Sequence, residues 1–154
     1  MLRFSKAFAL ALVLFLPRIA VAQNQEAVTA VKAVANEWTR AYLAHDFNAV
    51  VAVFDKPVGL FVYGNRAYPL DSLKAMHTRT WSQRTDEQWT NDRVDVVMLG
   101  DQSALFTITQ SGHYTLVATG VAWEFKSSGF VTALAQKRGN AWKVVAAHLS
   151  GGGT

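Results

Sequence analysis

The sequence predicts an α+β domain in which three helices come first and a long, turn-linked antiparallel sheet follows. Apolar residues recur at three- and four-residue steps up to about residue 84, the helical period. After Glu87 they alternate with polar residues, the strand period. Short turns at Gly100-Asp101, Ser127-Ser128-Gly129 and Arg138-Gly139-Asn140 separate these strands, as a meander requires. Helices on one face of a twisting sheet let it curl around them and leave a cavity between.

The first 22 residues look like an export signal. Arg3 and Lys6 precede the ten apolar residues Ala7 to Leu16, and Ala20-Val21-Ala22 supplies a small-x-small cleavage site. Ten apolar residues fall short of the roughly 20 that span a bilayer as a helix, so cleavage after Ala22 and a periplasmic or secreted destination are expected. Cleavage removes three basic residues and no acid, leaving 12 basic against 11 acidic residues, so the net charge falls from +4 to +1. That balance gives no electrostatic case for nucleic acid or an anionic membrane surface. The chain has no cysteine, so its core alone holds it together.

The elements follow in order. Val28, Val31, Val34, Ala35, Trp38, Ala41 and Tyr42 form the apolar stripe of a helix over 24–45. Asp46 is placed to cap a second, short helix that buries Phe47, Val50, Val51 and Phe54, and Lys56-Pro57 ends it. Residues 58–63 form a strand, Gly64-Asn65 a turn, and Asp71 caps a third helix whose face carries Leu73, Met76, His77, Thr80 and Trp81. The expected strands are 88–99, 103–113, 121–126, 129–137 and 142–149, with 114–120 either extending a strand or looping over a cavity mouth. Residues 151–154 are an expected disordered tail. Strict alternation in the closing strand puts Trp142, Val144, Ala146, His148 and Ser150 on one face.

This order resembles the SnoaL-like, nuclear transport factor 2-like superfamily. The resemblance rests on the helix, the Asp-capped segment Asp46-Phe47-Asn48-Ala49-Val50-Val51-Ala52-Val53-Phe54, the strand, third helix and meander, and the closing Trp-Lys-Val-Val-x-x-His-x-Ser. It covers essentially the whole mature chain, residues 23–150. It implies a cone-shaped barrel of a strongly curved antiparallel sheet wrapped around three N-terminal helices, a pocket inside the cone, and often a homodimer through the sheet face. Ketosteroid isomerases, polyketide cyclases, dehydratases, kinase association domains and non-catalytic binders share that shape. The ketosteroid isomerase mechanism needs a tyrosine where Trp38 stands and acids on strands 58–63 and 129–136, which contain none. Ala146 stands where many members carry a second histidine, so no two-histidine site exists on the closing strand.

His148 is the candidate acid or base, because a neutral imidazole in an apolar cone titrates near neutral pH. A core histidine holding the sheet in register is the competing explanation. Trp38, Tyr42, Tyr63, Trp81, Trp89 and Trp123 are candidates to line a pocket for a flat or apolar ligand, although each alone fits a core role. Thr107, Thr109, Ser111 and His113 share one parity of a central strand, and the sequence leaves open whether it faces inward. Four dispersed histidines imply no metal, and no phosphate loop, nucleophile elbow or dinucleotide motif implies a cofactor. The expectation is an exported domain that binds a small apolar or aromatic molecule in its cavity. An isomerase, dehydratase or cyclase using His148, and a dimeric interaction module, are the alternatives.

Overall fold

Helix α1 (Ala7–Leu43) lays one stripe against the sheet, with Val31, Ala35, Trp38, Ala41 and Tyr42 all buried. The structure, a computed structural model, describes residues 7–56, 60–63 and 66–150, with side chains from residue 25 onward except at 71 and 127–130. The export signal's side chains, the turn at 64–65 and the tail at 151–154 lie outside the described residues. The helix ends in a Schellman motif: Asp46 N–H donates to Ala41 O (3.1 Å) and His45 N–H to Tyr42 O (3.0 Å). His45 takes the left-handed conformation this stop requires, at φ 55°. Asp46 then caps helix α2 (Phe47–Ala52) by accepting from the Ala49 N–H at 3.0 Å, as its position in the sequence predicts.

Strands β1 (Leu60–Tyr63) and β2 (Arg66–Pro69) form a hairpin, and a 3-10 turn (Leu70–Ser72) leads into helix α3 (Leu73–Ser82). Asp71 is not the cap of α3. It sits within the 3-10 turn, and Ser72 occupies the N-cap position without a side-chain bond. The meander is β3 (Arg84–Gly100), β4 (Ser103–Leu116), β5 (Ala122–Arg138) and β6 (Ala141–Leu149), in a six-stranded sheet ordered β2-β1-β6-β5-β4-β3. The sheet is strongly curved and unclosed, with α1 and α3 in its concavity, which is the cone that the sequence resemblance implies.

The expectation of a wholly antiparallel sheet needs correction, because β1 runs parallel to β6. The meander leaves the far edge of β6 open, and an open edge demands cover. The exit of α2 supplies the direction: Asp55 N–H donates to Val144 O (2.8 Å) and Val144 N–H to Val53 O (2.9 Å), aligning the chain with β6. The expected turn at 127–129 is also absent. Residues 122–138 form one long strand, and register shifts against β4 between Ile108 and Gly112 bend it where a turn was anticipated. The ambiguous segment resolves as strand up to Leu116 and a turn closed by Gly120 N–H donating to Leu116 O at 2.8 Å.

The closing strand departs from strict alternation. Leu134 pairs with Ala146 and the adjacent Ala135 with Val144, so Val145 is an extra residue, a β-bulge. Trp142, Val144 and Val145 are all buried, Ala147 is buried after the bulge, and His148 is exposed. The bulge reverses the parity, so the predicted face of Trp142, Val144, Ala146 and His148 does not exist.

Candidate functional site

The concavity between sheet and helices is a cavity of about 610 Å³, within the size range of small-molecule sites. Its wall draws on α1 (Trp38, Thr39, Tyr42), α3 (Met76, His77, Thr80) and inward positions of every strand. Trp38 packs edge-on to Phe54 (5.2 Å) and Phe61 (6.2 Å), joining the wall to the core. Tyr42 lies stacked on Trp89, ring centres 4.8 Å apart, and Trp89 meets Phe125 edge-on at 5.9 Å. Tyr63 and Trp123, 45% and 42% exposed, stand where the wall meets solvent.

Trp89 can lie close to β4 because its partner there is Gly112. A Cβ on Gly112 would collide with the Gln88 carbonyl oxygen and come within 2.8 Å of Trp89 Cδ1. The glycine thus sets the position of the indole in the wall.

Two polar groups interrupt the aromatics. The first joins α1, β3 and β4. Gln110, only 5% exposed, donates from Nε2 to Asn91 Oδ1 (2.9 Å) and to Thr39 Oγ1 (3.3 Å). Thr39 Oγ1 donates to Asn91 Oδ1 (3.0 Å), and Asn91 Nδ2 to Asn36 Oδ1 (2.9 Å). The Thr107, Thr109 and Ser111 stripe has the other parity and faces outward with His113, so Gln110 is the polar residue that β4 sends inward here.

The second group surrounds His77. Its ring meets Tyr42 edge-on (5.1 Å) and Trp81 face-on (5.4 Å), and burial lowers its pKa to about 4, so it is neutral at neutral pH. Its Nε2 is buried without a hydrogen-bond partner, as are Trp81 Nε1, Trp89 Nε1 and Glu87 Oε2. Arg84 Nη1 donates to Glu87 Oε1 at 2.9 Å, and its guanidinium lies 4.1 Å from the centre of the Tyr114 ring. Burial works against the Arg84 charge, but the Glu87 hydrogen bond and neighbouring negative potential outweigh it, and its pKa is raised. Burial, reinforced by the Glu87 charge, pushes the Tyr42 hydroxyl well above the usual tyrosine range.

Of the residues singled out from the sequence, Trp38, Tyr42, Tyr63, Trp89 and Trp123 come together on the cavity wall. Trp81 does not reach it and lies behind His77, sandwiched against His45 at 4.8 Å. His148 is outside the cavity, on the convex face, opposite Val62 on β1 and Thr132 on β5. The bulge at Val145 is the reason. His77, Gln110 and Arg84 line the cavity although the sequence reading gave them no role in it. Gln110 had a signal: it alternates with Ile108 and Phe106, an inward apolar parity, and is the one polar member there.

A model of the calcium/calmodulin dependent protein kinase II association domain family matches residues 25–153. No curated protein matches the chain. Among solved structures, a ketosteroid isomerase-like protein from Erwinia carotovora atroseptica superposes with a TM-score of 0.67 at 20% identity, covering 80% of this chain and 94% of that one. A protein from Novosphingobium aromaticivorans, provisionally described as a scytalone dehydratase, gives 0.73 at 11% identity over 84% and 86%. A Xanthomonas campestris protein, provisionally described as a calcium/calmodulin dependent protein kinase II association domain, gives 0.63 at 17% identity over 78% and 84%. At these identities the likeness is one of fold.

Proposed function

We propose that this chain, which belongs to the calcium/calmodulin dependent protein kinase II association domain family, binds a small, largely apolar aromatic molecule inside its cone. One observation carries the reading: nine large aromatics line a cavity of about 610 Å³, and His77 Nε2 and Trp89 Nε1 lie buried in its wall without a protein partner. Buried polar atoms are normally satisfied, so unsatisfied ones behind a cavity surface mark where small ring movements would let the wall meet a ligand or water. Stacking on Tyr42, Trp89 and Phe125 supplies the apolar contribution, and the polar atoms orient the ligand. Titration of the full chain with aromatic fragments, followed by calorimetry, should give saturable one-to-one binding that the cavity-filling Ile108→Trp variant loses. Absence of saturable binding by every fragment at millimolar concentration would refute the reading.

If the site also turns a substrate over, the neutral His77 is the cavity imidazole available to take a proton, and His148 is on the opposite face. Loss of turnover in His77→Phe with retention in His148→Ala is the expected pattern. The exposed Val97, Leu99 and Leu105 favour a homodimer through the convex sheet face as a second reading, in keeping with the family's name. Light scattering should then show a dimer that Leu105→Lys dissociates. The export pattern supports a destination outside the cytoplasm, and N-terminal sequencing of material from the host should then begin at Gln23.

A further inference from the structure

We infer that Gln110 selects the occupant of the cone: its side-chain carbonyl is a fixed hydrogen-bond acceptor, and the ligand is an aromatic molecule bearing a hydroxyl or N–H donor. This rests on the reading of the cavity as a binding site and narrows the ligand class.

The argument begins with where the amide hydrogens go. Gln110 Nε2 carries two, and both are taken up by the protein, one by Asn91 Oδ1 on β3 and one by Thr39 Oγ1 on α1. Asn91 Oδ1 accepts a second bond, from Thr39, and its Nδ2 is engaged by Asn36. The chain of bonds crosses from strand to strand to helix, so the amide orientation is held by three elements of the fold. A planar amide with its nitrogen so anchored turns its oxygen the other way. Gln110 lines the cavity, is 5% exposed, and its Oε1 accepts no hydrogen bond among the described residues. Gln110 Oε1 is not among the sealed-off polar atoms of the described residues, so it opens on the cavity, and a ligand that displaces water from it must bring a donor or leave the acceptor unpaired.

The aromatic walls set the rest of the ligand. Ile108 adjoins Gln110 along the strand, and Trp38 and Tyr42 flank Thr39 on α1, so the donor must project from a flat, apolar body. A site built to bond a substrate hydroxyl discriminates strongly against the analogue that lacks it, because the acceptor is then left unpaired.

The test compares 2-naphthol with 2-methoxynaphthalene on the full chain by calorimetric titration. The two differ in whether the oxygen can donate, and methylation makes the second more apolar, so burial alone would favour it. The expected result is that 2-naphthol binds about tenfold more tightly. In Gln110→Met, which keeps the volume and removes the acceptor, the preference should vanish or reverse while 2-methoxynaphthalene binds as before. Equal binding of the two by the wild type, tighter binding of 2-methoxynaphthalene, or a preference that persists in Gln110→Met overturns the inference and leaves the cavity reading standing. Binding of neither compound overturns this inference, and the cavity reading falls with it when no other aromatic fragment binds. The wild-type comparison decides even if the variant does not fold.

Discussion

The wall that α1 contributes has two levels built on opposite terms. At Thr39, polar side chains spend their donors on one another, so Asn36, Thr39, Asn91 and Gln110 form a chain with a single carbonyl left over. One turn on, at Tyr42, the surrounding His77, Trp81, Trp89 and Glu87 each keep a buried polar atom without a partner. The first level ties helix to sheet and fixes geometry. The second is polar and unfinished, held in place by ring packing. A cavity can be rigid at one height and chemically open at the next when hydrogen bonds hold one and aromatic contacts hold the other.

Perturbing each level separates these roles. Glu87→Ala should have the largest effect, because it leaves the half-buried Arg84 without its counter-ion; a loss of about 3 kcal/mol is expected in urea unfolding at pH 7. Asn91→Leu breaks the saturated level and leaves one hydrogen of the buried Gln110 amide without its acceptor, at about 2 kcal/mol. A loss below 0.5 kcal/mol there would show that the network is decorative. Gly112→Ala should cost about 1–2 kcal/mol and shift the tryptophan fluorescence as Trp89 is displaced, which would tie wall geometry to this one close approach.

His77 gives the pH dependence. Its folded pKa, about 4, lies below the unfolded value near 6.5, so the unfolded chain binds the extra proton first. Its contribution is complete above pH 6.5 and is lost as pH falls towards 4, by about 2 kcal/mol after allowance for water in the cavity. His77→Phe should flatten that segment of the stability curve; an unchanged curve would mean that the imidazole is not the group responsible. The smallest effect belongs to His148→Ala, within about 0.5 kcal/mol in stability and without change in cavity binding, since the side chain is on the convex face.

Local rules carried much of the fold. The stripe Val31 to Tyr42, the Asp46 cap and the alternation of β4 are each decided within a few residues, and the structure matches them. Parallel pairing of β1 with β6, the unbroken β5 and the bulge at Val145 depend on which strand lies alongside, and no window of one strand contains that. The site divides in the same way. Large aromatics announce a wall by number and spacing, whereas His148 was assigned by parity, and parity survives only as far as the next bulge. The importance of Gln110 and His77 comes from burial and partners, which the chain acquires on folding.

Val145 makes β6 two half-strands that share a backbone but not a phase. Up to Val144 the inward positions are read by the helices and by α2's exit; from Ala147 onward they are read by the cavity through Leu149. One residue inserted between Ala146 and His148 would turn the imidazole inward and leave the Trp142 anchor untouched. A single in-frame codon inserted there would therefore recompose this end of the pocket, with the first half of the strand unaware of it.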